Sequence, residues 1–214
     1  MIDSKALAEF FGTATLLLAV VGSSFMAERL TQDSALALFI NATVTAAVLA
    51  LIIRSGVNLS GAHFNPVVTL TALLLGRIKA LEALVYLIAQ VLGAIFGVIL
   101  TNLMFAEVVF SSSSIQRGGV AQLLGEVIAT TGLVFIAFSA RKKHVWKLIP
   151  LWIFGAYFFT VSTSFANPAV TLARFLTDAP AGIASSSLPG FIAAQLLGAL
   201  LVLAVLRNRE RISR

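Results

Sequence analysis

Two asparagine–proline pairs hold most of the polar chemistry of an otherwise apolar chain. The first lies in Ser60-Gly61-Ala62-His63-Phe64-Asn65-Pro66-Val67-Val68-Thr69-Leu70, the second in Ser164-Phe165-Ala166-Asn167-Pro168-Ala169-Val170-Thr171-Leu172. Each reads as a helix start. An Asn side chain caps a helix because its oxygen accepts a backbone N–H that the first turn leaves unpaired. Pro suits the first helical position, where no N–H is needed. The helix behind each pair is short, reaching Leu75-Gly76-Arg77 in one case and Thr177-Asp178-Ala179-Pro180 in the other. About 11 residues at 1.5 Å each span roughly 16 Å, half of a ~30 Å hydrocarbon core. Two half-helices with one kind of cap, at matching places in two halves of a membrane protein, point to a site at the bilayer midplane.

The remaining polar candidates are few. Glu9 and Glu126 sit inside apolar runs, where an ionisable side chain is costly and is functional or paired. Two roles stay open: a proton relay, or a carboxylate accepting N–H groups from the irregular loops ahead of the half-helices. Gln90 and Gln195 stand at matching positions and read as anchors for loop carbonyls. His63 precedes the first pair, and the other histidine, His144, lies in a basic segment far along the chain, so no metal site is expected. Cysteine is absent, which excludes disulfides and thiolate ligands. No nucleophile–base pair or metal cluster falls at one depth, so neither an enzyme nor a cofactor is expected.

The elements that position these residues follow from composition. The chain is 59% hydrophobic and 11% charged over 214 residues, with mean hydropathy +0.99. A soluble domain carries about 25% charged residues. An all-α membrane protein is expected, with six transmembrane helices plus two half-helices in an inverted repeat. The spans fall near 7–26, 34–53, 80–105, 120–140, 148–162 and 188–206. The first apolar run is too long for a signal-peptide core and is read as a retained span. Arg141–Lys147 reads as a basic turn, and Gly93-Ala94-Ile95-Phe96-Gly97 as a packing motif that lets helices approach closely.

The repeat is visible by eye. Ala8-Glu9-Phe10-Phe11-Gly12-Thr13 answers Gly125-Glu126-Val127-Ile128-Ala129-Thr130, and Ala89-Gln90-Val91-Leu92-Gly93-Ala94 answers Ala194-Gln195-Leu196-Leu197-Gly198-Ala199. The halves run about 5–105 and 120–207 within one domain. Three spans per half insert the halves in opposite senses, so the half-helices meet by their N-termini. With both termini in the cytoplasm, Lys5, Arg54, Arg77, Lys79, the Arg141–Lys147 segment and the tail arginines Arg207, Arg209, Arg211 and Arg214 fall inside. Only Arg29, Arg117 and Arg174 fall outside. That bias accounts for the net charge of +6 as topology, with no nucleic-acid partner.

The paired boxes Asn65-Pro66-Val67 and Asn167-Pro168-Ala169 resemble the paired Asn-Pro-Ala boxes of the aquaporin and aquaglyceroporin family, the major intrinsic proteins. The first box departs from the pattern only at Val67. The resemblance implies a passive pore for water and small uncharged solutes, a homotetramer with one pore per subunit, and a central constriction formed by both boxes. There each Asn would cap its helix through oxygen and leave its NH2 free to donate into the pore. The resemblance also places His63 along the cytoplasmic half of the pore and favours the N–H-accepting role for Glu9 and Glu126. Family members carry an Arg directly after the second box. Here that position is Val170, and the next arginine, Arg174, comes one turn further out. Spacing to the second box places the other outer constriction positions at Gly155 or Ala156 and at Ser164, and the span-two position near Thr45. None is a bulky aromatic, so a wide, weakly polar constriction is expected. Two stretches, 20–30 and 162–174, resemble a bacterial branch associated with arsenic resistance, which implies the bacterial inner membrane and arsenite-like solutes. The alternative is a secondary transporter, since broken helices and inverted repeats occur there too.

Overall fold

The computed structural model describes residues 3–212. Of the tail arginines, Arg214 lies outside the described residues and Arg211 is described by its backbone alone. Helices run in the order α1 (Ser4–Leu30), α2 (Ser34–Gly56), α3 (Pro66–Leu74), α4 (Ala80–Met104), α5 (Gly119–Ser139), α6 (Lys142–Phe159), α7 (Pro168–Ala173) and α8 (Leu188–Ile212). Short 3-10 turns cover Arg174–Leu176 and Ser185–Ser187. The described residues contain no strand.

Packing repeats between the halves. In the first, α1 packs against α2 and α4; in the second, α5 packs against α6 and α8. The half-helices α3 and α7 cross over. Each touches the last helix of its own half and the last helix of the other, and they touch each other. Close approach of α1 to α4 and of α5 to α8 depends on glycine. A Cβ on Gly93 would lie 2.2 Å from the Phe10 carbonyl oxygen, one on Gly97 2.4 Å from that of Ala14, and one on Gly198 2.7 Å from that of Val127. Gly93 and Gly198 are equivalent positions of the repeat, so the same backbone-to-backbone contact is built twice.

Among the described residues, five helices are long and apolar enough to cross a membrane: α1, α2, α4, α5 and α8. The other long helix, α6, has 18 residues and carries Lys142, Lys143 and Lys147 in its first two turns. Its start corrects the expected basic turn. Residues 142–147 are helical, because lysine is a good helix former whose stem can lie along apolar surface while its charge stays in water. The three lysines are exposed while Val145 between them is buried. The half-helices are shorter than expected: nine residues in α3, and six in α7 before the chain tightens into the 3-10 turn at Arg174.

What holds the segments before α3 and α7 is a buried carboxylate in each half. Glu9 Oε1 accepts from Ser60 Oγ (2.6 Å) and His63 N (3.0 Å); its Oε2 accepts from Phe64 N (2.6 Å) and Gln90 Nε2 (2.8 Å). Glu126 accepts from Phe165 N (2.9 Å), Ala166 N (2.8 Å) and Gln195 Nε2 (2.7 Å). Both carboxylates are fully buried. The loops need this support because their backbone is left-handed at residues other than glycine. φ is +54° and +49° at Ala62 and Phe64, and +55° and +48° at their counterparts Ser164 and Ala166. Each such residue costs about 1–2 kcal/mol; a hydrogen bond to a charged acceptor contributes about 1.5–3 kcal/mol. Gln90 and Gln195 do not anchor loop carbonyls. Each donates instead to its carboxylate and to the half-helix hydroxyl of Thr69 or Thr171, at 2.9 and 2.8 Å, since a charged oxygen is the stronger acceptor.

Two outcomes follow for stability. Gly93→Val should lower the thermal midpoint of the detergent-solubilised protein by overpacking worth about 1–3 kcal/mol, whereas Gly118→Ala, where an added Cβ meets nothing within 4 Å, should leave it near wild type. Glu126→Leu should sharply reduce monodisperse protein in size-exclusion chromatography, because the Phe165 and Ala166 N–H groups would lose their acceptor at about 1–3 kcal/mol each.

Candidate functional site

Both Asn-Pro pairs start helices, as their residue types dictate. Asn65 is extended (φ −158°) and its Oδ1 accepts from Val67 N at 3.1 Å. Asn167 is extended (φ −156°) and its Oδ1 accepts from Ala169 N at 3.0 Å and Val170 N at 3.3 Å. Pro66 and Pro168 occupy the first helical positions. Val67 and Ala169 are buried in the core beneath the caps.

The amide groups bind across the pair. Asn65 Nδ2 donates to the Ala166 carbonyl and Asn167 Nδ2 to the Phe64 carbonyl, each at 2.8 Å. The acceptors are the left-handed residues just ahead of the opposite Asn. The expectation of a wholly free NH2 is therefore corrected. One N–H of each amide ties the two tips together, and the second remains for an occupant, since a primary amide carries two donors. The reason is geometric: at this approach the opposing carbonyl is the nearest acceptor, and a buried carbonyl must be paired.

Asn65 and Asn167 line one cavity of about 140 Å³. His63 lies along it towards the α5–α6 junction, where Ala137, Phe138 and Val145 also contribute. His63 Nδ1 lies 3.0 Å from Thr69 Oγ1. Towards the α1–α2 end come Thr45, Tyr157, Ser164, Val170 and Arg174. Polar groups reach the cavity chiefly from the loops and half-helices, while the long helices add an apolar wall that includes Leu16, Val20 and Leu49. Both half-helices point their N-termini at its middle, so two positive dipole ends share one place. Ser164 Oγ is buried without a hydrogen-bond partner among the described residues, and it borders this space.

The position on α6 differs from the sequence-based one. Gly155 is absent from the lining, and a Cβ there would meet the Phe159 ring at 3.5 Å. Ala156 is fully buried. The lining stripe of α6 is Val145, Ile149, Ile153 and Tyr157, spaced four apart as one helix face requires. Counting back from the second box fails because the intervening 160–167 segment is not helical; the four-residue periodicity was the usable signal. Tyr157 and Phe165 bring aromatic rings to the cavity, and Tyr157 Oη donates to Thr45 Oγ1 at 3.3 Å. These rings join Thr45, Ser164 and Val170, none of them aromatic, in the lining. A second cavity of about 320 Å³ adjoins at the α1–α2 end, bordered by Glu28, Asp33, Asn41, Arg117 and Arg174. Arg174 borders both.

Comparison with known proteins agrees with this architecture. Residues 2–163 match the model of the major intrinsic protein family. The chain is 47% identical over 206 residues to aquaglyceroporin AqpS of Rhizobium meliloti (strain 1021), covering 95% of this chain and 88% of that one. It is 34% identical over 165 residues to probable aquaporin TIP3-2 of Arabidopsis thaliana, covering 69% of this chain and 60% of that one. The X-ray structure of the aquaglyceroporin from Plasmodium falciparum superimposes with a TM-score of 0.72 at 16% identity, covering 94% of this chain and 93% of that one, a likeness of fold alone. With the family model matching residues 2–163 and a relative 47% identical extending over 95% of the chain, the chain belongs to the major intrinsic protein family.

Proposed function

We propose that the protein is a passive transmembrane channel for water and small uncharged solutes, glycerol- or arsenite-like in size and polarity. The observation that carries this reading is the cavity that passes beside the two Asn-capped tips. Its middle offers amide N–H donors and two positive helix ends opposite an apolar wall. A water or hydroxyl there can turn its oxygen to the donors, while a cation or proton meets a barrier. Val170 in place of a larger side chain leaves room for solutes bigger than water. The name of the aquaglyceroporin relative supports glycerol among them.

The chain is an integral membrane protein of a channel family. The chain sits in a bacterial inner membrane with both termini cytoplasmic, acts as a homotetramer, performs no catalysis, and comprises one domain of two repeats, about 5–105 and 120–207. The central constriction is assigned to Asn65, Pro66, Val67, Asn167, Pro168 and Ala169, and the outer selectivity region to Thr45, Ser164, Val170 and Arg174, with Tyr157 replacing Gly155. A coupled transporter would need a titratable group at the tips. Glu9 and Glu126 are fully buried, with each carboxylate oxygen accepting at least one hydrogen bond, which favours the structural role.

Proteoliposomes tested by stopped-flow osmotic shock with water, glycerol, urea and arsenite decide the matter. Flux should be downhill only, and vesicles that shrink no faster than bare lipid would refute the channel. Val170→Arg should cut glycerol and arsenite flux about tenfold, equivalent to about 1.4 kcal/mol of barrier, and water flux far less; equal losses for every solute would place the constriction elsewhere. Asn65→Asp combined with Asn167→Asp removes both cross-ties and adds negative charge at the tips. Cation leak should rise in correctly inserted double variant, and an unchanged leak would remove the tips from the ion barrier.

A further inference from the structure

Arg174 approaches the passage from one turn beyond Val170. Val170 and Arg174 lie one turn apart, and α7 has only six residues before Arg174 opens the 3-10 turn. The N-terminus of α7 is at the middle of the cavity. Side chains on a helix lean towards its N-terminus, so a long side chain at 174 reaches back over Val170 towards the passage. Arg174 is 3% exposed. Its guanidinium lies over the Phe165 ring, 3.4 Å from the centroid, and its Nε donates to the Ala181 carbonyl. Neither terminal nitrogen forms a hydrogen bond with the described residues, and no carboxylate among them lies within ion-pair distance. Yet the side chain borders both the inner cavity and the outer one. Arg117 differs. It lies over the same ring at 5.1 Å, borders only the outer cavity, and uses Nε and one Nη on the Gly182 and Pro180 carbonyls, at 2.8 and 3.0 Å.

We propose that Arg174 is the specificity-determining cation of the passage, delivered from one helical turn beyond Val170. The proposal rests on the channel reading and deepens it. Moored through Nε and held over Phe165, the guanidinium presents its terminal N–H groups to the space between the two cavities. Its side chain enters from the end where the outer cavity adjoins. A guanidinium offers donors in a rigid fork and no acceptor. The solutes it selects are therefore uncharged molecules with two neighbouring oxygen acceptors, such as a vicinal diol or an uncharged oxoacid. An amide such as urea, with a single oxygen, gains less. Small cations are turned away by the same unneutralised charge.

The test uses full-length protein in proteoliposomes, with glycerol, urea and methylammonium as probes. Arg174→Leu should raise methylammonium entry about tenfold and lower the glycerol-to-urea flux ratio, with water flux little changed. Arg174→Lys should keep methylammonium out, because the charge remains, but should not restore the glycerol preference, because the fork is lost. Arg174→Leu vesicles with wild-type methylammonium exclusion and a wild-type flux ratio would overturn the proposal. Arg117→Leu frees carbonyls in the same 180–182 loop; if it opens the vesicles to methylammonium as Arg174→Leu does, loop closure rather than the Arg174 charge carries the selectivity and the proposal falls. Wild-type vesicles that take up glycerol no faster than bare lipid would instead overturn the channel reading beneath it.

Discussion

A buried carboxylate gripping consecutive backbone N–H groups is the interaction on which the structure depends. Each half must bring its chain into the middle of an apolar bundle, stop, and start a helix there. Irregular backbone at that depth is tolerated only if its polar groups are satisfied within the protein. Glu9 meets that need for His63 and Phe64, and Glu126 for Phe165 and Ala166. The acceptor is charged, so it can hold left-handed residues with side chains where a neutral carbonyl would leave them free to relax. The Gln90 and Gln195 amides then tie each carboxylate to its half-helix through Thr69 or Thr171. Loop, carboxylate and half-helix form one unit, and the two units lock through Asn65 and Asn167.

From that lock the functional geometry follows. The tips cannot separate without breaking two buried hydrogen bonds, and they cannot close because the amides already meet the opposing backbone. The passage therefore runs beside the tips. It inherits their donors on one side and the aliphatic wall of the long helices on the other. The pairing of the halves is nearly symmetric at the tips and asymmetric at the ends. Towards the α5–α6 junction the lining is apolar apart from His63; towards the α1–α2 end it carries Tyr157, Phe165 and Arg174.

The exterior fits an apolar solvent. Large side chains such as Leu81, Leu151 and Phe11 are 73%, 66% and 58% exposed, as contact with hydrocarbon allows. Aromatic and cationic side chains pair near helix ends, as Arg54 does with Trp146 and Arg29 with Phe105, at 5.1 and 4.9 Å. Such pairs suit the level where hydrocarbon gives way to water.

Much of this was legible in residue order. Local rules suffice for the caps at Asn65 and Asn167, for the prolines behind them, for spans of sustained apolarity, and for the repeat that pairs Glu9 with Glu126 and Gln90 with Gln195. Each depends on neighbours in the chain or on a period that can be counted. What tertiary structure decided were contacts between distant segments. The Asn65 amide meets Ala166 rather than pointing freely inward. Gln90 turns to a carboxylate instead of a carbonyl. Tyr157, not Gly155, faces the cavity, because the rotation of α6 is set by its packing against α2 and α5. Arg174 lies over the Phe165 ring, from a segment beyond α7. Sequence encodes which groups need partners; only the packed bundle determines which partners come within reach.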